Sequence, residues 1–289
     1  MSEIRFDGRV AIVTGAGGGL GRAHALALAA RGAKVVVNDV GRADSVVAEI
    51  RAAGGEAMAS DASVSDAGAV AAMVEATMAA WGRVDILINN AGILRDKSFA
   101  KTPIDAFEAV IDVHLRGSWV CTQAVWEIMR AQGYGRVLMT TSSSGLYGNF
   151  GQANYAAAKG ALVGLMNTLA IEGQKHGIQV NALSPAAATQ MTEALLPPGS
   201  AALLGPETVA PAALFLVSEG APTRTILAAG AGVFAVARIL ETPGIDLGPA
   251  PDVDDVARAW DSIAAQTGAE PLEAAWAQTG KFLTQAGKR

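Results

Sequence analysis

A phenol and an ammonium stand four residues apart in the stretch NYAAAKGA, as Tyr155 and Lys159. On a helix, residues at that spacing share one face, with Cβ atoms about 5–6 Å apart. A cation held there favours the phenolate and lowers a pKa that is otherwise near ~10. The expected product is a tyrosine able to exchange a proton with an alcohol or a carbonyl. Upstream, Ser142 lies in TTSSSG, at the end of an apolar run, where its hydroxyl can donate to the same substrate oxygen. The competing reading is a solvated pair on an alanine-rich helix face. Tyr147 and Phe150, in GLYGNFG, are expected to line the substrate side of this site.

A second constellation lies near the N-terminus. VTGAGGGLGRA places Gly15, Gly19, Leu20 and Gly21 between an apolar run and a helical pattern. Glycines there let the backbone turn sharply and approach a pyrophosphate, and the start of the helix receives the phosphate charge. An acidic residue at the end of the next strand, Asp39, can accept hydrogen bonds from a ribose diol. Its charge would repel a 2′-phosphate, so the expected cofactor is NAD rather than NADP, with nearby Arg42 as the opposing signal. In NNAG, Asn90 is read as the cofactor contact and Asn89 as a structural amide. Ser63 and Val64, in DASV, are expected near the adenine.

These groups need a scaffold. Short β-branched runs alternate with alanine-rich helical runs: RVAIVT, AKVVVND, EAMAS, VDILINNAG, GRVLMTTSS, IQVNALSP and TRTILAAG read as strands. Strands that are apolar throughout are buried on both faces, which points to a parallel sheet. The alternation predicts an α/β, Rossmann-type doubly wound fold, with about seven parallel strands and helices on both faces. A single long helix is expected over 105–131. Residues 1–242 are read as one dinucleotide-binding and catalytic domain. Residues 243–289 are read as a helical extension packing on that domain or on a partner subunit. Asp252 is a predicted N-cap there, and Pro271 is expected in the first turn of the last helix.

Composition narrows the function classes. Apolar residues make up 51% and charged residues 17% of 289 positions, as in a globular protein. The net charge of −5 comes without basic runs, so nucleic acid is not an expected partner. No stretch is long and apolar enough for a membrane span. The single Cys121 fits a reducing compartment, and a cytoplasmic location is expected. Three histidines and one cysteine offer too few soft ligands for a metal site, and none is expected.

The glycine turn from Thr14 to Gly21, NNAG, Ser142 and the Tyr155–Lys159 pair, in that order, resemble the short-chain dehydrogenase/reductases over nearly the whole chain. A narrower resemblance runs through NNAGILRDKSFAK, VHLRGSW, SGLYGNFGQANYAAAKGALVGLMNTLAIEG and DVDDVARAW. These are similar to the (3R)-hydroxyacyl-CoA dehydrogenase part of peroxisomal multifunctional enzyme type 2. The resemblance implies NAD-dependent oxidation of a (3R)-3-hydroxyacyl-CoA. A 17β-type hydroxysteroid, or another bulky secondary alcohol, is the alternative substrate. It implies Tyr155 as general base, Ser142 on the substrate oxygen, and Lys159 tuning Tyr155 and holding the nicotinamide ribose. His114 stands where many of these enzymes have a relay asparagine, so a relay role and a packed histidine are both open. SPAAATQ replaces a Pro-Gly pair, which assigns Ala186, Ala187 and Ala188 to the nicotinamide pocket. The family implies a homodimer or homotetramer. A nucleotide-binding scaffold without catalysis is the rival of another class.

Overall fold

The structure is a computed structural model that describes residues 3–190, 199 and 201–287. Its chain divides into two compact units, residues 1–236 and 237–289. The first unit is built on strands β1 (Val10–Thr14), β2 (Lys34–Asn38), β3 (Ala57–Ser60), β4 (Ile86–Asn89), β5 (Gly135–Thr140), β6 (Ile178–Pro185), β7 (Ile226–Gly230) and β8 (Val233–Ala237). They form one sheet in the order β3-β2-β1-β4-β5-β6-β7-β8, parallel from β3 through β7. Every residue of β1, β4 and β5 is buried, as unbroken apolar runs require in a sheet covered on both sides. Residues such as Val35, Ile86, Ile88 and Leu138 form the core, each contributing about 1.5–3 kcal/mol by burial.

The sheet has eight strands rather than the expected seven. Ala231 and Gly232 join β7 to β8, and both have positive φ, 51° and 76°. Two such residues form a tight hairpin turn, so β8 returns antiparallel to β7. An alanine in the left-handed region carries no sequence signal, which hid the eighth strand.

Helices α1 (Gly19–Ala30), α2 (Ala43–Ala52), α3 (Ala67–Trp81), α4 (Ile104–Ile111), α5 (Gly117–Gln132), α6 (Ser143–Tyr147), α7 (Ala153–Gly173) and α8 (Ala210–Leu216) complete the unit. α1 packs with α2 and α8, α3 with α5, and α4 with α7, which gives the two covering layers of a doubly wound fold. Local chemistry sets the ends. The Asp66 carboxylate accepts from the Gly68 and Ala69 N–H groups to cap α3, and Gly82 ends that helix at φ 72°. The long helix expected over 105–131 is present as α4 and α5, which run into one another without a break through a π-helical turn, Asp112–Arg116. One extra residue in that turn carries His114 inward, where it is buried.

The second unit holds α9 (Val253–Ile263) and α10 (Ala275–Ala286). Asp252 caps α9 as expected, in a reciprocal capping box with Asp255. Pro271 lies before α10 rather than in its first turn, because the helix begins at Ala275. Among the described residues, no helix is long and apolar enough to cross a membrane.

Candidate functional site

The strand order reverses between β1 and β4, and the cleft outside the C-terminal ends of such strands is where open α/β sheets bind ligands. Here a cleft of about 540 Å³ runs from the glycine turn after β1 to the tyrosine of α7. Gly15, Gly18, Gly19, Leu20, Asp39 and Asn90 line one end; His114, Ser142, Tyr155 and Lys159 line the other.

At the first end, Gly15 and Gly19 have φ of 62° and 51°, a conformation that glycine adopts without strain. Gly18 precedes α1 without a side-chain cap, so the first N–H groups of the helix point outward with their partial positive charge. A Cβ on Gly21 would lie 2.2 Å from the Gly15 carbonyl oxygen, so this glycine serves the packing of helix on turn. Gly17, which the sequence reading passed over, has the same necessity. A Cβ there would lie 2.6 Å from the Asp39 carboxyl carbon. The first glycine of the GGG run was the available signal.

Asp39 is held by backbone. Its Oδ2 accepts from Gly17 N–H at 3.1 Å, and its Oδ1 accepts from Gly41 and Arg42 N–H groups at 3.2 and 3.1 Å. The Arg42 guanidinium donates to Gln190 Oε1 at 3.0 Å from the opposite wall. Asn90 lines the cleft, and its amide also donates to the Thr14 and Gly15 carbonyls, tying β4 to the glycine turn. Asn89 is structural, donating to Thr122 Oγ1 at 3.0 Å.

The two residues expected on the adenine side lie off this cleft. Val64 is buried, facing Gly117 of α5, where any Cβ would strike its methyl group. Ser63 accepts from the Ser65 and Asp66 N–H groups in the turn before α3. Neither lines the cleft.

At the other end, Lys159 is buried, and its ammonium donates to the Thr140 carbonyl at 2.5 Å. That ammonium stands 5.6 Å from the centre of the Tyr155 ring. Ser142, at the end of β5, caps α6 by accepting from Ser144 N–H, and its hydroxyl reaches Tyr155. His114 meets the Tyr155 ring edge-on, with centroids 5.2 Å apart. Its Nε2 faces both the N–H and the carbonyl of Ile93, at 3.0 and 2.8 Å, while Nδ1 has no partner among the described residues.

The electrostatics depart from the simple expectation of a lowered tyrosine. Burial raises the Tyr155 pKa, the Ser142 hydrogen bond opposes this, and the Asp96 charge adds to it. Burial also takes Lys159 down to about 7, so it is not a fixed cation at neutral pH. Desolvation is the leading cause for both groups, because both are inside. His114 is pushed down to about 3, by burial first and by the Lys159 charge second.

Tyr147 and Phe150 are 75% and 92% exposed, and neither lines the cleft. The intervening wall is polar instead: Ser143, Ser144, Asn149 and Gln152, with Leu94 opposite. α6 is only one turn long and leaves both aromatics outside. Ala186 and Ala187 line the cleft as expected. Ala188 does not; its N–H donates to the Leu204 carbonyl at 2.6 Å. A larger hollow of about 690 Å³ lies between α1 and α8, but Leu26, Ala27, Leu214 and Phe215 make it apolar, and Arg22 there is paired with Glu49. Among the described residues, no three His, Cys, Asp or Glu side chains group as metal ligands.

The family model for short chain dehydrogenases matches residues 9–198. Peroxisomal multifunctional enzyme type 2 of Mus musculus is 52% identical over 229 residues, which are 75% of this chain and 31% of that protein. The structure of the full-length enzyme of that name from Drosophila melanogaster superposes with a TM-score of 0.86 at 41% identity, covering 99% of this chain and 50% of that one. A 7α-hydroxysteroid dehydrogenase, solved with NADH and 7-oxo glycochenodeoxycholic acid, gives a TM-score of 0.74 at 32% identity over 79% of this chain and 95% of that one. The chain thus spans about a third to a half of the multifunctional relatives it matches.

Proposed function

Since the chain belongs to the short-chain dehydrogenase family and is therefore an oxidoreductase that uses a nicotinamide cofactor, we propose that it oxidises a (3R)-3-hydroxyacyl-CoA to the 3-ketoacyl-CoA with NAD. The observation that carries this reading is one cleft with two matched ends. An uncapped helix start and a backbone-held Asp39 occupy one end, and Ser142, Tyr155 and Lys159 the other.

The residues present fit a dinucleotide. The outward N–H groups of α1 suit a diphosphate, and the Asp39 carboxylate suits a ribose diol. Asp39 also supports NAD over NADP, because its charge is held in place by three N–H groups. When bound, the nicotinamide supplies the hydride acceptor. Tyr155 Oη takes the proton of the substrate hydroxyl. Ser142 Oγ donates to the same oxygen and steadies its charge as the carbonyl forms. Lys159 orients the cofactor ribose and, when protonated, favours loss of the Tyr155 proton. His114, neutral over the whole working range, keeps the turn after β4 in place through Ile93.

The acyl-CoA assignment rests on the multifunctional relatives; the hydroxysteroid alternative rests on the steroid dehydrogenase neighbour. NADH formation with a panel of 3-hydroxyacyl-CoAs and hydroxysteroids decides between them. Tyr155→Phe is expected to lower kcat by roughly 10²–10⁴-fold. Full activity in that variant overturns the mechanism, and nucleotide binding without turnover of any alcohol favours a scaffold. A homodimer or homotetramer is the proposed assembly. Gly160 and Gly164 lie on α7, and a Cβ on Gly164 would meet open space, leaving room for a second copy. A monomer by light scattering at micromolar concentration would refute it.

A further inference from the structure

The start of α7 carries more than its tyrosine. Gln152, the residue before the helix, is buried and lines the cleft. Its backbone carbonyl accepts from Ala156 N–H at 2.7 Å, so Gln152 sets the first turn. Its side-chain amide is engaged on three sides. Nε2 donates to Asp96 Oδ2 at 2.7 Å; Oε1 accepts from Ser144 Oγ at 2.7 Å and from Asn149 Nδ2 at 2.9 Å. A carboxylate only accepts, so Asp96 dictates which end of the amide faces it, and the Ser144 and Asn149 protons point at the other end. From the same turn, Asn154 Nδ2 donates to the Arg95 carbonyl at 3.0 Å. Two adjacent residues of the segment after β4 are thus clamped to the start of the helix that presents Tyr155.

We propose that Gln152 and Asp96 are positioning residues for Tyr155: their hydrogen bond sets where the first turn of α7 stands relative to Ser142, and the Asp96 charge biases the proton toward the tyrosine. This rests on the dehydrogenase reading given above. The groups facing Tyr155 are Lys159 from its own helix, His114 from the π-helical turn, Ser142 from the end of β5, and Asp96 from the segment after β4. Of these, Asp96 is the anion, and its charge acts to raise the Tyr155 pKa. Beside it, the Arg95 guanidinium is turned to the Leu94 carbonyl, and Lys97 is exposed. A link that sets both geometry and charge exceeds a structural tie, because each half is removable alone. Asp96→Asn keeps an acceptor and removes the charge. Gln152→Met keeps the volume and the charge and removes the hydrogen bonds.

The test pairs a substrate-free titration with kinetics. Ultraviolet difference titration of each protein against its Tyr155→Phe counterpart reads the ionisation of Tyr155 alone. The expected result is a lower tyrosinate midpoint in Asp96→Asn, restored in Asp96→Glu, with the kcat–pH profile moving to lower pH in step. In Gln152→Met, kcat is expected to fall by up to about 100-fold while KM for NAD stays put, as for a misplaced catalytic group. An unmoved midpoint in Asp96→Asn, or a Gln152→Met kcat within about twofold of the parent, overturns the proposal. If Asp96→Asn fails to fold, Gln152→Met carries the decision. If the parent protein oxidises no alcohol, the dehydrogenase reading fails, while the titration still judges the link between Asp96 and Tyr155.

Discussion

His24 faces inward from α1, wholly buried, and neither ring nitrogen has a hydrogen-bond partner among the described residues. Burial holds its pKa down from 6.5 to about 4, because a charged imidazole there would lose its water without gaining a counter-ion. In the unfolded chain the same ring titrates near ~6.5. Between those two values the unfolded state carries a proton that the folded state refuses, so stability rises with pH across the window. Read downward, stability is intact above pH ~6.5 and drains away as the pH falls toward ~4. The gap of roughly 2.5 units, at about 1.36 kcal/mol each, comes to about 3 kcal/mol. That is a large share of the ~5–15 kcal/mol by which a native domain is stable. His24→Leu removes the titrating group and the two unpaired nitrogens together. Urea denaturation at a series of pH values gives both stability curves. The variant is expected to gain on the parent by about 3 kcal/mol between pH ~7 and ~4, with little change above. His114, also held low, is present in both proteins and cancels. A difference that stays constant with pH would show that His24 finds a partner for its charge, and the burial argument would fail.

Three other outcomes follow from the same geometry. Asp39→Ala frees the Gly17, Gly41 and Arg42 N–H groups. It should raise KM for NAD by roughly 10–100-fold, as losses of about 1.5–3 kcal/mol do, while narrowing the preference over NADP; initial rates with both cofactors measure this. Gly92→Ala puts a Cβ 2.3 Å from His114 Cε1, against a ring that Ile93 holds in place. Overpacking of about 1–3 kcal/mol should lower Tm by several degrees and depress kcat with it, read by calorimetry and turnover. Asp85 is buried at the start of β4, where it accepts from Val10 N–H and pairs with Arg9 and Arg83. Asp85→Ala should cost about 3 kcal/mol in a urea titration and leave KM for NAD unchanged, because the group lies at the opposite end of the sheet from the cleft.

What the amino-acid order determines by itself is whatever depends on near neighbours. Apolar runs of strand length, the glycines between β1 and α1, the Asp252 cap and the four-residue spacing of Tyr155 and Lys159 are all local, and each stands in the fold as read. So is the order of the motifs, which is enough to assemble a nucleotide end and a proton-transfer end on one sheet edge. Only the tertiary structure decides what these side chains meet. Val64 and Ser63 turn away from the cleft because α5 and the turn before α3 claim them. Tyr147 and Phe150 stand outside because α6 lasts one turn, while Gln152, from the same stretch, turns inward to reach Asp96 more than fifty residues earlier. His114 comes to Tyr155 through a π-helical turn that no spacing announces. The pKa directions are the sharpest case. Pair spacing predicts a lowered tyrosine, but burial depth is a property of the whole fold. Desolvation there raises Tyr155 and brings Lys159 toward neutrality.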